Sequence, residues 1–371
     1  MKKIVFFPLL NSMPSGHHQV ADALCEVLSN GKGDIECKKI DLLSEWNRHV
    51  EAAAVNTYLK WIRKAPNSYA WVYRQLAYKP QKNHSFGFYE AMFLKKVERI
   101  VETENPDLIV CTHGFPSLFI NKLKREGKCS VPCLNVYTDF FMNDVWGKSH
   151  IDYHFVPNNS MRLELQNEFR VPAGRIIITG IPVSPVFDEN ASKKGEDDDF
   201  TIMVSGGSTG LGNIGKIMEA GIGQPSCRYA ILCGTNHQLY EHIKNRNISS
   251  VAPYPYIASK DEMNRLYSEA DAIVTKPGGV TVSEALKKEV PIFIYSALPG
   301  QEEINLRFLA EQGLVFKIPQ DANLPEFICE TLNNKDKMNA YREAVKRFKD
   351  SLAFSDASAI GIWIEQVLAA E

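Results

Sequence analysis

Residues 273–305 read IVTKPGGVTVSEALKKEVPIFIYSALPGQEEIN, and the order of signals in this stretch decides the fold. A β-branched run, residues 272–275, ends in Lys276-Pro277-Gly278-Gly279, after which residues 280–288 have helix-forming composition. Gly278 and Gly279 let backbone N–H groups come close to an anion, and the helix that follows points its positive end at the same place. A pyrophosphate fits such a turn, with Val280 and Thr281 next in line. Lys276 is either a phosphate partner or a solvated turn lysine. Glu284, five residues past the second glycine, is expected near the start of the helix, where a carboxylate accepts hydrogen bonds from two neighbouring ribose hydroxyls. The next strand-like run, residues 291–295, empties into Pro299-Gly300-Gln301-Glu302. Gln301, Glu302 and Asn305 fall at helical spacing on one side of a new helix start, as groups binding sugar hydroxyls would. Two glycines alone would be an ordinary turn; the ordered series carries the reading.

Outward from this stretch, strand and helix signals alternate. In the first half the short apolar runs are residues 3–8, 35–40, 108–111, 132–137, 154–156 and 176–179; in the second they are 201–204, 229–232, 254–257, 272–275, 292–295 and 314–317. That rhythm belongs to α/β architecture, with parallel sheets covered on both faces. Residues 181–200 break it with prolines and a polar, acidic run, so a domain connection is expected at 185–199. The chain has 371 residues, too many for one ordinary core and about right for two. The expected domains are 1–184, joined by a C-terminal helix at 355–371, and 200–354.

A formal charge of −2 and a pI near 6.5 give no global attraction to nucleic acid or to an anionic membrane. The eight cysteines are scattered, with no Cys-x2-Cys and no His/Cys cluster at metal spacing, which suits free thiols in a reducing cytoplasm. The opening MKKIVFFPLL begins as a signal peptide would, but Pro8 breaks it and no small-residue cleavage site follows, so it reads as a first strand. No apolar window is long enough for a membrane span, and membrane contact is expected to be peripheral.

The series Lys-Pro-Gly-Gly, Thr281, Ser283-Glu284 and Gly300-Gln301-Glu302 resembles the donor half of the GT-B glycosyltransferases that include monogalactosyl- and glucosyl-diacylglycerol synthases. The muropeptide N-acetylglucosaminyltransferase is a more distant relative. The likeness runs through essentially the whole chain and is densest at residues 273–305. It implies a GT-B fold of two Rossmann-like domains facing a central cleft, with the last helix packed back on the first domain. It also implies a UDP-sugar as donor substrate, uracil pairing with the backbone at Tyr256-Ile257, and transfer with inversion. Gly207 and Ser208, in the turn after residues 201–204, are either phosphate contacts or part of a glycine-rich connector. Enzymes of this type meet the departing diphosphate with helix N-termini and backbone donors, so no metal and no cofactor is expected. Asp197, Asp198 and Asp199 lie in the polar connection, where a charge run is usually solvated.

The first domain is expected to hold the acceptor and the base. Gly16-His17-His18-Gln19 follows the first strand, and a histidine there has an ordinary pKa suited to removing a hydroxyl proton. His17 is the candidate base, supported by the similarity of Gly-His-x-Gln-x-Ala to the lipid glycosyltransferases; Gly16 beside it is a candidate donor contact. Pro14-Ser15 stands where the family usually has more glycine. A second constellation, Thr138-Asp139-Phe140-Phe141 with Asn143 and Trp146, follows residues 132–137. Asp139 either orients His17, or is the base itself, or caps a turn. The family usually has His where this chain has Asn143, and Asn is neither acid nor base at neutral pH.

Residues 60–82 contain six cations and no acidic residue, interleaved with Trp and Tyr. Trp61, Lys64, Trp71 and Arg74 are candidate contacts to an anionic membrane surface, with an ordinary core-plus-solvated face as the alternative. No motif for nucleic acid accompanies the patch. The expected reaction is inverting transfer of a hexose from a UDP-sugar to a lipid hydroxyl, of diacylglycerol or its glycosyl product, at the inner face of the cell membrane. A soluble or secondary-metabolite acceptor, a UDP-sugar epimerase and a non-catalytic UDP-sugar-binding protein are the alternatives. Glucose, galactose and N-acetylglucosamine are not separable from sequence.

Overall fold

Short runs of Val, Ile, Leu and Phe, too brief for helices and buried on both sides, settle as parallel strands because a sheet covered on both faces has no polar face to alternate toward. The computed structural model describes residues 1–9, 15–31, 33–42, 68, 87–189, 199–207 and 227–370. Two units divide the chain. The first comprises Met1–Pro185, Pro299–Gln301 and Ser351–Glu371, the second Val186–Leu298 and Glu302–Asp350.

In the first unit the strands are β1 (Lys2–Phe7), β2 (Ile35–Lys39), β3 (Leu108–Cys111), β4 (Cys133–Val136), β5 (Tyr153–Val156) and β6 (Ile176–Ile178), and the helices of its main run are α1 (Gly16–Ser29), α2 (Gly87–Glu104), α3 (Gly114–Arg125) and α4 (Asn159–Phe169). Among the described residues they form one parallel sheet in the order β2-β1-β3-β4-β5-β6. β3 and β4 are buried throughout. Edge strand β2 is mostly exposed, and Lys38 on it pairs with Glu104 at 2.7 Å. Strand order reverses between β1 and β3, and an open α/β sheet offers its binding crevice at the carboxyl ends of such a pair.

In the second unit, β7 (Phe200–Ser205), β8 (Cys227–Leu232), β9 (Val251–Tyr254), β10 (Ala272–Thr275), β11 (Ile292–Ile294) and β12 (Phe316–Lys317) form a parallel sheet in the order β12-β11-β10-β7-β8-β9. Its helices among the described residues are α5 (His237–Arg246), α6 (Lys260–Glu269), α7 (Gly279–Lys287), α8 (Gln301–Glu311, whose first residue belongs to the first unit), α9 (Leu324–Asn333) and α10 (Lys335–Asp350). Here the order reverses between β7 and β10. The third strand of this half is Val251–Tyr254, earlier than the expected 254–257, because the β-bonding partner of Tyr229 is Val251.

Residues 185–189, expected in a polar connection, are partly docked. Phe187 is buried with its ring 5.7 Å from Tyr267, Lys287 pairs with Asp188, and Lys288 Nζ donates to the Glu189 carbonyl at 2.7 Å. The C-terminal helix α11 (Ala357–Ala370) closes on the first unit. Gly361 crosses α1 so closely that a Cβ there would lie 2.7 Å from Val27. The Trp363 ring meets Tyr153 edge to face and lies tilted against Phe155, and the Ala353 N–H donates to Ile178 O at 2.7 Å.

Candidate active site

Three neighbouring strands of the first unit deliver their carboxyl ends to one place. α1, which follows β1, brings His17 as its second residue; β3 leads into Thr112 and His113; β4 leads, after Tyr137, into Thr138 and Asp139. His17 Nδ1 lies 2.8 Å from the Thr112 carbonyl oxygen and 2.9 Å from Thr138 Oγ1. A carbonyl can only accept, so Nδ1 carries the proton and Nε2 keeps its lone pair. The Thr112 hydroxyl returns a hydrogen bond to the His17 carbonyl at 3.0 Å, so the residue is held at side chain and backbone together. Burial lowers the His17 pKa to about 4, partly opposed by the hydrogen bond to Thr112. At neutral pH the ring is therefore uncharged, oriented, and open to receive a proton at Nε2.

The second imidazole here, His113, was not singled out by the sequence reading. It is the N-cap of α3, and its Nδ1 accepts the Phe115 N–H at 3.0 Å. The His17 and His113 rings meet edge to face with centroids 4.6 Å apart. Burial, and then the neighbouring His17, push the His113 pKa well below the ordinary value. The signal available was a histidine in Thr112-His113-Gly114, directly after an apolar strand and before a helix start.

Asp139 does not fill the orienting role considered for it: the groups that hold His17 Nδ1 are Thr112 and Thr138. The Asp139 carboxylate instead accepts from Gln301 Nε2 at 2.5 Å, within the first unit. Gln301, expected at a sugar, is thus engaged with a candidate catalytic carboxylate. Trp146, expected at the acceptor, is 7% exposed and packs on Tyr137 at 4.4 Å, so it is core. Asn143 closes a turn, its Oδ1 accepting from the Val145 N–H at 3.1 Å. Gly16 opens α1. Trp61, Lys64, Trp71 and Arg74 lie outside the described residues, as does Ser208.

The second unit builds a different centre at its own strand reversal. After β10, Gly278 caps α7 in an extended conformation and has no side chain to satisfy the first-turn amides. Its own N–H is already given to the Lys276 carbonyl at 2.8 Å, so the donors open to an anion are those of Gly279, Val280 and Thr281 rather than that of Gly278. A Cβ at Gly278 would meet nothing within 4 Å, which leaves space for a ligand against the backbone. Lys276 is half-buried beside this turn. After β7, Gly207 takes the left-handed conformation, φ +77°, with equally open space.

Glu284 sits in the second turn of α7, not its first, and is 6% exposed. One carboxylate oxygen accepts from the Tyr267 hydroxyl at 3.0 Å, and the other is 3.9 Å from Lys260 Nζ. Burial raises its pKa against the lowering effects of Lys260 and Tyr267. Ile257 is half-buried in the loop that leads to α6, whose N-cap Ser259 accepts from the Glu262 N–H at 3.2 Å. Two groups expected at sugar hydroxyls also make structural hydrogen bonds. Asn305 is 1% exposed and donates to the Pro277 carbonyl at 3.1 Å, fixing the turn before α7. One Glu302 oxygen accepts the Leu298 N–H at 2.6 Å, which closes the loop at the start of α8.

The family model described as monogalactosyldiacylglycerol (MGDG) synthase matches residues 17–183, and the glycosyltransferase family 28 C-terminal domain matches residues 201–359. Over 353 residues the chain is 40% identical to an uncharacterized glycosyltransferase of Bacillus subtilis, YkoN, covering 94% of this chain and 93% of that one. The chain is a glycosyltransferase of the monogalactosyldiacylglycerol synthase family. The glycosyltransferase is also 28% identical to a processive diacylglycerol beta-glucosyltransferase of Bacillus cytotoxicus, over 89% of this chain and 86% of that one. Its fold matches that of MurG from Acinetobacter baumannii with a TM-score of 0.63 at 14% identity, over 99% and 100% of the two chains. That likeness is one of GT-B architecture. Membership of the family sets aside the epimerase and non-catalytic readings. Among the described residues, no helix of this glycosyltransferase is long and apolar enough to cross a membrane.

Proposed function

We propose that this glycosyltransferase moves a hexose from a UDP-sugar, with inversion, to the free hydroxyl of a diacylglycerol or glycosyl-diacylglycerol. The observation that carries the reading is the Nδ1–H of His17 held by Thr112, which leaves Nε2 as a neutral, directed base. His17 takes the acceptor proton, the acceptor oxygen attacks the anomeric carbon, and UDP departs. The first-turn amides of α7 and the turn at Gly207 bind the diphosphate, and Glu284 binds the ribose by exchanging the Tyr267 hydroxyl for ribose hydroxyls. No divalent ion is assigned a step. The lipid acceptor is supported by the family matching the acceptor-side half and by the B. cytotoxicus relative. Peripheral docking on the inner face of the cell membrane through Trp61, Lys64, Trp71 and Arg74 belongs to the same proposal.

The test is mass spectrometry of products from dioleoylglycerol in mixed micelles with UDP-glucose, UDP-galactose and UDP-N-acetylglucosamine, with and without EDTA. Anomeric proton couplings of the product report inversion. Transfer to a soluble acceptor panel with none to dioleoylglycerol would overturn the lipid reading, and loss of transfer in EDTA would overturn the metal-free one. Salt-insensitive sedimentation with neutral and anionic vesicles alike would overturn the docking patch.

A further inference from the structure

The two imidazoles at the β1/β3 reversal are held in opposite tautomers by backbone groups, and only one of them is used by the mechanism above. His17 gives its Nδ1 proton to a carbonyl and presents a lone pair at Nε2. His113 spends its Nδ1 lone pair on the Phe115 N–H, so its proton is on Nε2, where it has no partner among the described residues. The rings are in edge-to-face contact. One small substrate fragment reaching His17 therefore meets a proton acceptor and, beside it, a neutral donor.

A cap for α3 does not require this arrangement. Ser or Thr satisfies a first-turn amide better than imidazole does and leaves no second polar atom over. Nor can His113 compete as the base, because its lone pair is committed at Nδ1. A donor aimed at the attacking oxygen would hold its lone pair and slow the attack. The productive target is thus a neighbouring oxygen.

Resting on the reading of His17 as the base, we infer that His113 is a substrate-contacting, specificity-determining residue: its Nε2–H donates to an oxygen on the carbon adjacent to the reacting hydroxyl. The acceptor is then recognised as a vicinally dioxygenated fragment. The C2 ester oxygen beside the free hydroxyl of a diacylglycerol has this form, and so does a hydroxyl beside another on a sugar or a glycerol.

The experiment pairs each acceptor with a partner lacking that oxygen: dioleoylglycerol against the analogue with methylene in place of the C2 ester oxygen, and glycerol against 1,3-propanediol. Wild type is expected to prefer the oxygenated member by about tenfold in kcat/KM, the worth of one hydrogen bond. His113→Asn keeps an acceptor for the Phe115 N–H but has no atom at the Nε2 position. It should lose the preference while keeping its Tm and its affinity for UDP. His113→Gln places an N–H near the Nε2 position but gives up the cap, and should lower the Tm yet retain preference. Undiminished preference in His113→Asn would overturn the proposal. Activity on glycerol with none on either lipid would remove the lipid reading alone, leaving the glycerol pair to decide this one. Should wild type transfer to neither, nitrogen-15 NMR of the histidine-labelled full chain decides: His113 protonated at Nδ1, or His17 at Nε2, overturns it.

Discussion

The β1/β3 and β7/β10 reversals are the same feature of topology filled with opposite chemistry. At the first, two half-buried imidazoles are kept neutral and are placed by threonines and backbone groups. At the second, a buried carboxylate leans on Tyr267 and Lys260, near three first-turn amides. A proton acceptor has to be uncharged before it acts, and burial of an imidazole favours that form. A carboxylate that is to bind ribose, as proposed for Glu284, has to be charged; burial opposes that form, and Lys260 and Tyr267 favour it. Equal topology therefore fixes where a site lies, and the side chains decide its electrical character.

His17→Ala would break the comparison most severely. Turnover is expected to fall by roughly 10²-fold or more, with UDP affinity by calorimetry unchanged, because the donor groups belong to the second centre. Intact turnover in that variant, with Asp139→Asn inactive, would transfer the role to the carboxylate. The same lowered pKa sets a pH profile: the acid limb of kcat/KM should lie near pH 4 rather than at the ordinary histidine value of 6.5. The sign for stability follows. The unfolded chain protonates this imidazole below about 6.5 while the folded one resists until about 4, so stability is present above that window and is lost through it on acidification.

Next in size is Glu284→Ala, expected to weaken UDP binding by about 1.5–3 kcal/mol through loss of charge-assisted hydrogen bonds. Glu284→Gln sharpens the contrast. A carboxyl whose pKa is raised on folding costs stability as pH rises past its unfolded value, so Gln should hold or raise the melting temperature at pH 7 while UDP affinity falls. Equal UDP affinity in both variants would remove the ribose assignment.

Asn305→Ala tests support rather than chemistry. It leaves the Pro277 carbonyl without its donor and should cost roughly 1–3 kcal/mol in denaturant unfolding of the second unit, with the first unit's transition unmoved. The smallest effect is expected at Asn143→His. The imidazole can still accept the Val145 N–H, so activity on dioleoylglycerol should stay within a few-fold. A large loss there with unchanged UDP affinity would place Asn143 against the acceptor.

The sequence by itself determined the alternation of strands with helices, the two-part α/β division and the strand ends at which the candidate residues lie, because burial pattern and glycine punctuation are local properties of a chain. It also singled out His17 and Glu284 as candidates. It read Trp146 as an acceptor contact and Asn305 as a sugar contact, since an aromatic or amide near a strand end looks the same whether it points outward or into the core. Tertiary structure alone decided what holds each candidate. The partners of His17 come from 95 and 121 residues away, and only the order β1-β3-β4 makes them neighbours. The tautomers of His17 and His113, and with them which ring takes a proton and which gives one, follow from whether the nearest backbone group is a carbonyl or an amide. Sheet order and helix start settle that choice, and no spacing along the chain encodes it.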